Sequence, residues 1–170
     1  TCTIDLEKLK EEASIYNEYV LPIRLAESQG EPVGPSASSK ALYFINLTND
    51  YSGVYAGTGR LKQIGTNYSS DAGGKQLYAI SKDECYLYLG NADRSTAHSK
   101  KLIAKLHFTD NGTVEMSAIS PEIDFQPVSG SYSFKFTQNP NDSRKLSRRT
   151  VLNLVCEYTD VTDVYSHVRV

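Results

Sequence analysis

From residue 41 onward, apolar residues return at every second position, segment after segment, with turn-forming residues between the segments. Tyr132, Phe134 and Phe136 fall on one side of such a segment, with Ser131, Ser133, Lys135 and Thr137 on the other. Leu102, Ala104, Leu106 and Phe108 oppose Ile103, Lys105 and His107. Cys85, Leu87 and Leu89 oppose Tyr86 and Tyr88, while Leu152, Leu154, Cys156 and Tyr158 oppose Val151, Asn153 and Val155. Successive side chains of a β-strand point to opposite faces. The period therefore predicts strands with one face in a core and one near water, as antiparallel sheets have.

Strands are predicted at 41–47, 52–57, 60–64, 76–81, 84–89, 102–108, 113–119, 131–137, 149–158 and 163–169. Asp110-Asn111-Gly112 joins two of them as a hairpin turn, because Asn-Gly tolerates positive φ. Upstream, Leu6, Leu9, Ala13, Tyr16 and Val20 recur at spacings of three and four, which predicts one amphipathic helix over 4–20. Pro22 ends it, and residues 28–40 read as a loop rich in Gly, Pro and Ser. About ten short strands without alternating helices make the chain mainly β, an antiparallel β-sandwich or β-barrel behind one N-terminal helix. With 170 residues, a single domain over 1–170 is expected.

Composition narrows the function classes. A net charge of −2 gives no general attraction to nucleic acid or to an anionic membrane. No apolar run reaches the roughly 20 residues of a membrane-spanning helix. Asn46-Leu47-Thr48, Asn67-Tyr68-Ser69, Asn111-Gly112-Thr113 and Asn141-Asp142-Ser143 each fit the acceptor pattern for N-glycosylation and fall near loops or strand ends. They point to a secreted, extracellular or lumenal protein, or to the ectodomain of a tethered one. Three cysteines are too few for a disulfide-built scaffold. Cys85 and Cys156, both on apolar strand faces, are expected to bridge, leaving Cys2 unpaired or available for a link between chains.

Catalytic patterns are not found. The chain has no nucleophile elbow, no Cys-x-x-Cys and no metal-ligand spacing among His98, His107 and His167. Gly57-Thr58-Gly59-Arg60 lacks the following helix of a phosphate loop and reads as a tight hairpin turn. Glu122 and Asp124 share a strand face as any acidic strand would have them. Neither a cofactor nor a metal is called for, and no catalytic residue is assigned. Arg144, Lys145, Arg148 and Arg149 lie within six residues, in a loop entering the strand at 149–158. They form a candidate patch for an anion or an acidic partner. The function expected is therefore non-catalytic: a secreted or cell-surface binding module for a protein, a glycan or a small apolar ligand. The alternatives are a coat or cell-wall component cross-linked through Cys2 and a lipocalin-like carrier.

Overall fold

A computed structural model describes residues 19–24, 40–96, 98–139, 141–161 and 168–169. They divide into two units, Thr1–Leu47 and Thr48–Val170. In the first, β1 (Tyr19–Arg24) and β2 (Lys40–Ile45) pair antiparallel, from Tyr19 opposite Ile45 to Arg24 opposite Lys40. The helix expected over 4–20 lies outside the described residues except at its end, where Tyr19 and Val20 are strand. The β-ladder overrides the three-four spacing there, and Pro22 within β1 faces Leu42 of β2.

The second unit is built from β3 (Gly53–Tyr55), β4 (Gly59–Lys62), β5 (Ser69–Ala72), β6 (Lys75–Ala79), β7 (Glu84–Tyr88), β8 (Ile103–Phe108) and β9 (Val114–Ala118). These are followed by β10 (Gln126–Asn139), β11 (Asp142–Glu157), β12 (Thr159–Asp160) and β13 (Val168–Arg169). Strands β3, β6, β7, β8 and β9 form a five-stranded antiparallel sheet in the spatial order β3-β6-β7-β8-β9. Facing it, β10 and β11 make one long hairpin, and the core lies between. The fold is an antiparallel β-sandwich, with open sheet edges where a barrel would close.

The alternation read from the sequence accounts for the core. Leu77, Cys85, Leu87, Leu89, Ala104, Leu106, Phe108 and Val114 project from the sheet and are buried. Tyr132, Leu152, Leu154 and Cys156 of the hairpin pack against them. Each fully buried Leu or Ile contributes about 1.5–3 kcal/mol by leaving water. Tyr51, just before β3, stacks on Phe108 with ring centroids 3.9 Å apart and meets Tyr132 edge-on at 5.2 Å. The hydrogen bond between the Tyr51 and Tyr132 hydroxyls pushes the Tyr51 phenol up to about 12.

The turn at Asp110-Asn111-Gly112 is as expected: Phe108 pairs with Val114, and Gly112 has φ +86°. Elsewhere the strands differ from expectation. The segment 131–137 is the middle of a 14-residue strand, and 149–157 closes a 16-residue one. The basic run therefore lies within β11 rather than in a loop. At about 3.3 Å per residue, β10 is some 46 Å long against about 17 Å for a five-residue strand of the sheet. Its distal half runs past the core, where Phe136 and Leu146 are 62% and 72% exposed.

A second departure concerns the outward face of the sheet. Alternation would leave it wet, yet Tyr86, Tyr88 and Ile103 are buried. Tyr78 stacks on Tyr86 with centroids 4.8 Å apart, and Tyr88 meets both rings edge-on at 6.1 Å. Tyrosine on this face thus builds a second aromatic cluster behind the main core.

Candidate functional site

A cleft of about 400 Å³ opens beside this aromatic cluster, between the β3–β6 edge and the loop that follows β7. Its sheet side is formed by Val54, Lys75, Gln76 and Tyr78, its far end by Tyr88, and its loop side by Asn91, Ala92 and Asp93. Gly73 and Gly74 complete the lining. Gly74, and Gly57 across from it, are glycines for a steric reason. A Cβ on Gly74 would lie 2.7 Å from the Tyr55 carbonyl oxygen, and one on Gly57 would lie 2.6 Å from that of Gly73. The two backbones cross here, where pairing of Tyr55 with Lys75 gives way to pairing of Gly59 with Ala72. Gly57-Thr58-Gly59-Arg60 is therefore no hairpin turn. It links β3 to β4 within one long, kinked pair of strands, whose true turn lies at 63–68.

The loop side is held by local hydrogen bonds. Asp93 Oδ1 accepts from the Ser95 N–H at 2.8 Å, the Ser95 hydroxyl at 2.6 Å and the Thr96 N–H at 3.1 Å. These bonds, the Ser95 hydroxyl's first, hold the Asp93 carboxyl below its ordinary range. Lys75 donates from Nζ to the Gly90 carbonyl, and burial lowers its pKa. The Arg94 guanidinium lies 4.4 Å from the Tyr78 ring centroid, with Nη2 3.4 Å from the Tyr86 hydroxyl. Gln76 and Asn91 are exposed, and among the described residues neither side chain has a hydrogen-bond partner. The cleft thus combines two tyrosines, two uncommitted amides and a carboxylate in a volume suited to a small polar ligand.

The residues singled out in the sequence are scattered by comparison. Asn46, Asn67, Asn111 and Asn141 are all exposed. Among the cations, Arg144 and Lys145 share the Asp142 carboxylate, at 3.3 and 3.6 Å. Arg148 bonds Asp50 at 2.8 Å and lies over the Phe134 ring, and its guanidinium lowers the Asp50 pKa. Arg149 projects to the opposite face of β11 from Arg148, so the four make no single patch. Glu122 lies in a 3₁₀ turn over Pro121–Ile123 opened by proline, paired with Lys101 at 2.6 Å, and Asp124 follows with φ +43°. The strand expected for this carboxylate pair is not formed. His98 has φ +56°, His107 lies on the outward side of β8, and His167 and Cys2 are outside the described residues. No group of three metal-ligating side chains occurs among the described residues. No helix among them is long and apolar enough to cross a membrane.

The Cys85–Cys156 bridge is not formed: both are free thiols. Cys85 Sγ lies 3.3 Å from Asn49 Oδ1, to which it donates, and burial pushes both thiols up to about 11. At pH 8 such thiols hold about a hundredfold less thiolate than an ordinary cysteine. Native labelling of a Cys2→Ser variant with iodoacetamide should therefore add no mass within minutes, and unfolding should release two reactive sites. Prompt native labelling of either, or a mass two protons light, would contradict this arrangement.

A family model described as “-like, C-terminal” matches residues 39–169. Among solved structures, a protein of unknown function from Bacteroides ovatus superposes with a TM-score of 0.75 at 16% identity, over 95% of this chain and 57% of that one. An auxiliary nutrient binding protein from Bacteroides thetaiotaomicron gives 0.72 at 21% identity, over 92% and 55%. A structural-genomics protein of unknown function from B. ovatus gives 0.73 at 19%, over 86% and 51%. The chain thus spans about half the length of these structures, and at such identities the likeness is one of fold. No curated protein matches it.

Proposed function

We propose, on the premise that the chain belongs to this C-terminal-domain family, that it is a non-catalytic ligand-binding module of a secreted or cell-surface protein. The observation that carries the reading is the cleft. Tyr78 and Tyr88 border it, while Gln76 and Asn91 present amides that have no partner among the described residues. Tyrosine rings at the border beside amide donors and acceptors suit a small ring that carries hydroxyl groups. A small neutral saccharide is such a ligand, and a large apolar one is not. The nutrient-binding relative supports the same reading, at the level of a shared fold. Exposure of all four sequon asparagines supports the export part.

The test is a thermal-shift and titration screen of neutral mono- and disaccharides, read by tyrosine fluorescence, since the chain has 12 Tyr and no Trp. One saccharide should bind, and the double variant Gln76→Ala/Asn91→Ala should weaken it about tenfold or more, as loss of two hydrogen bonds implies. Binding unaffected by the double variant would move the site elsewhere. Turnover of a bound sugar would overturn the non-catalytic assignment. An intact mass without any modification, from natively expressed protein, would remove the export part and leave the cleft standing.

A further inference from the structure

The long hairpin carries a charge arrangement that the cleft does not use. Residues 135–149 hold five cations and one carboxylate, on a chain with 18 cations and 20 carboxylates in all. Three of the five have carboxylate partners: Arg144 and Lys145 share that of Asp142, and Arg148 has Asp50. The remaining two, Lys135 and Arg149, are direct cross-strand partners. They share one face, both are exposed, and neither has a carboxylate partner among the described residues. Like charges placed directly opposite one another destabilise a strand pair, so the fold gains nothing from them. Around them on that face lie the hydroxyl-bearing Ser133, Thr137 and Ser147, together with Val151 opposite Ser133. The apolar Phe136 and Leu146 belong to the other face.

We infer that this outward face of the β10–β11 hairpin binds a linear anionic polysaccharide, with Lys135 and Arg149 taking its carboxylate or sulfate groups. The surface has the matching chemistry: two uncompensated cations side by side, flanked by hydroxyls that can bond sugar hydroxyls. It is extended, as a strand pair must be. A protein partner would call for a broader apolar centre than the single Val151 of this part of the face. Two cations are too few to hold a membrane surface, at about 1 kcal/mol each. Of the four cations clustered in sequence, only Arg149 contributes. Its neighbour Lys135 is 14 positions away and is brought beside it by the hairpin register.

The probes are polygalacturonate and heparin, with dextran as the neutral control and polyglutamate as the acidic polypeptide, in affinity electrophoresis at low and high salt. At low salt the wild-type protein should be retarded by at least one anionic polysaccharide and not by dextran, and salt should abolish the retardation. Lys135→Glu should weaken binding at least about tenfold. Its melting temperature should be no lower than that of wild type, since the repulsive pair becomes attractive. Arg144→Gln/Lys145→Gln should bind within about twofold of wild type, because those cations already answer to Asp142. The proposal is overturned if neither polysaccharide retards the protein, or if the Arg144/Lys145 variant loses as much as Lys135→Glu. Equal retardation by polyglutamate would likewise overturn it, as charge alone would then decide. None of these outcomes depends on the cleft.

Discussion

Asn49→Ala should lower the stability of the second unit by about 3 kcal/mol, since about 1 kcal/mol or more is lost for each buried polar group left without a partner. In a chain of this size that is a fall of roughly 6–12 °C in melting temperature. Asn49 is half-buried, and all of its side chain's hydrogen-bonding capacity faces protein. Nδ2 donates to the carbonyls of Ser81 at 2.7 Å and Glu84 at 3.0 Å. Oδ1 accepts from the N–H groups of Tyr51 at 3.0 Å and Ser52 at 2.8 Å. Cys85 Sγ is a further donor to it. One amide therefore clamps the 49–52 turn onto the β6–β7 turn and sets Tyr51 against Phe108. Alanine strands the Ser81 carbonyl and two backbone N–H groups. Glu84 suffers least, because its carbonyl also receives the Ile80 N–H at 2.9 Å.

Asn49→Asp separates this account from a simple packing effect. The carboxylate keeps the acceptor role but turns its second oxygen toward two carbonyls, which raises its folded pKa above the unfolded value near 3.9. A carboxyl with a raised folded pKa is tolerated while protonated, below the unfolded pKa, and its penalty grows as pH rises through the folded one. The aspartate variant should thus lose at least as much as alanine at neutral pH, and a smaller share near pH 4. Melts at the two pH values decide the matter. A deficit for Asn49→Asp that does not change with pH would mean that Nδ2 is not the clamp.

The legible and illegible parts of this protein differ in physical kind. Alternation located Leu87, Leu106, Tyr132 and Leu154 on core faces, because burial on one side of a strand writes itself into every second position. Asn-Gly marked the β8–β9 turn because it needs a specific backbone conformation. Asn49 left no such trace: an asparagine in an Asn-Leu-Thr-Asn-Asp stretch looks like any loop residue, and the two carbonyls that its Nδ2 reaches lie more than 30 positions away. The cleft was illegible for the same reason, since Gln76 and Asn91 meet only after β6 and the loop beyond β7 are folded. Tyr86 and Tyr88 were assigned to the correct face, but their burial depends on Tyr78 of a neighbouring strand. The basic run misleads because density along the chain is not density in space. A strand sends Arg148 and Arg149 to opposite faces, and Lys135 arrives from its partner.

A close approach of the β10 backbone to β9 makes the last expectation a large one. Gly130 of β10 faces the backbone of Val114 at the start of β9, and a Cβ there would fall inside the Val114 carbonyl oxygen. It would also lie 3.1 Å from Val114 Cβ. A main-chain oxygen cannot swing aside as a side chain can, so Gly130→Ala must push β10 off β9. That motion strains the Tyr132 N–H bond to the Gly112 carbonyl at 2.8 Å and the bridge between Thr113 and Ser131. It also disturbs the Tyr132 ring against Tyr51 and Phe108. Overpacking of this kind costs about 3 kcal/mol, and more where backbone is the obstacle. Glycine within a strand otherwise weakens it, so the close approach is the reason for the residue. Gly73→Ala is the matched control. A Cβ there meets nothing within 4 Å, and the shorter list of unfolded conformations should leave stability unchanged or raised by up to about 1 kcal/mol. Parallel melts read both. If Gly130→Ala melts with the wild type while Gly73→Ala behaves as stated, the hairpin is not seated on β9. The core would then have to be closed in some other way.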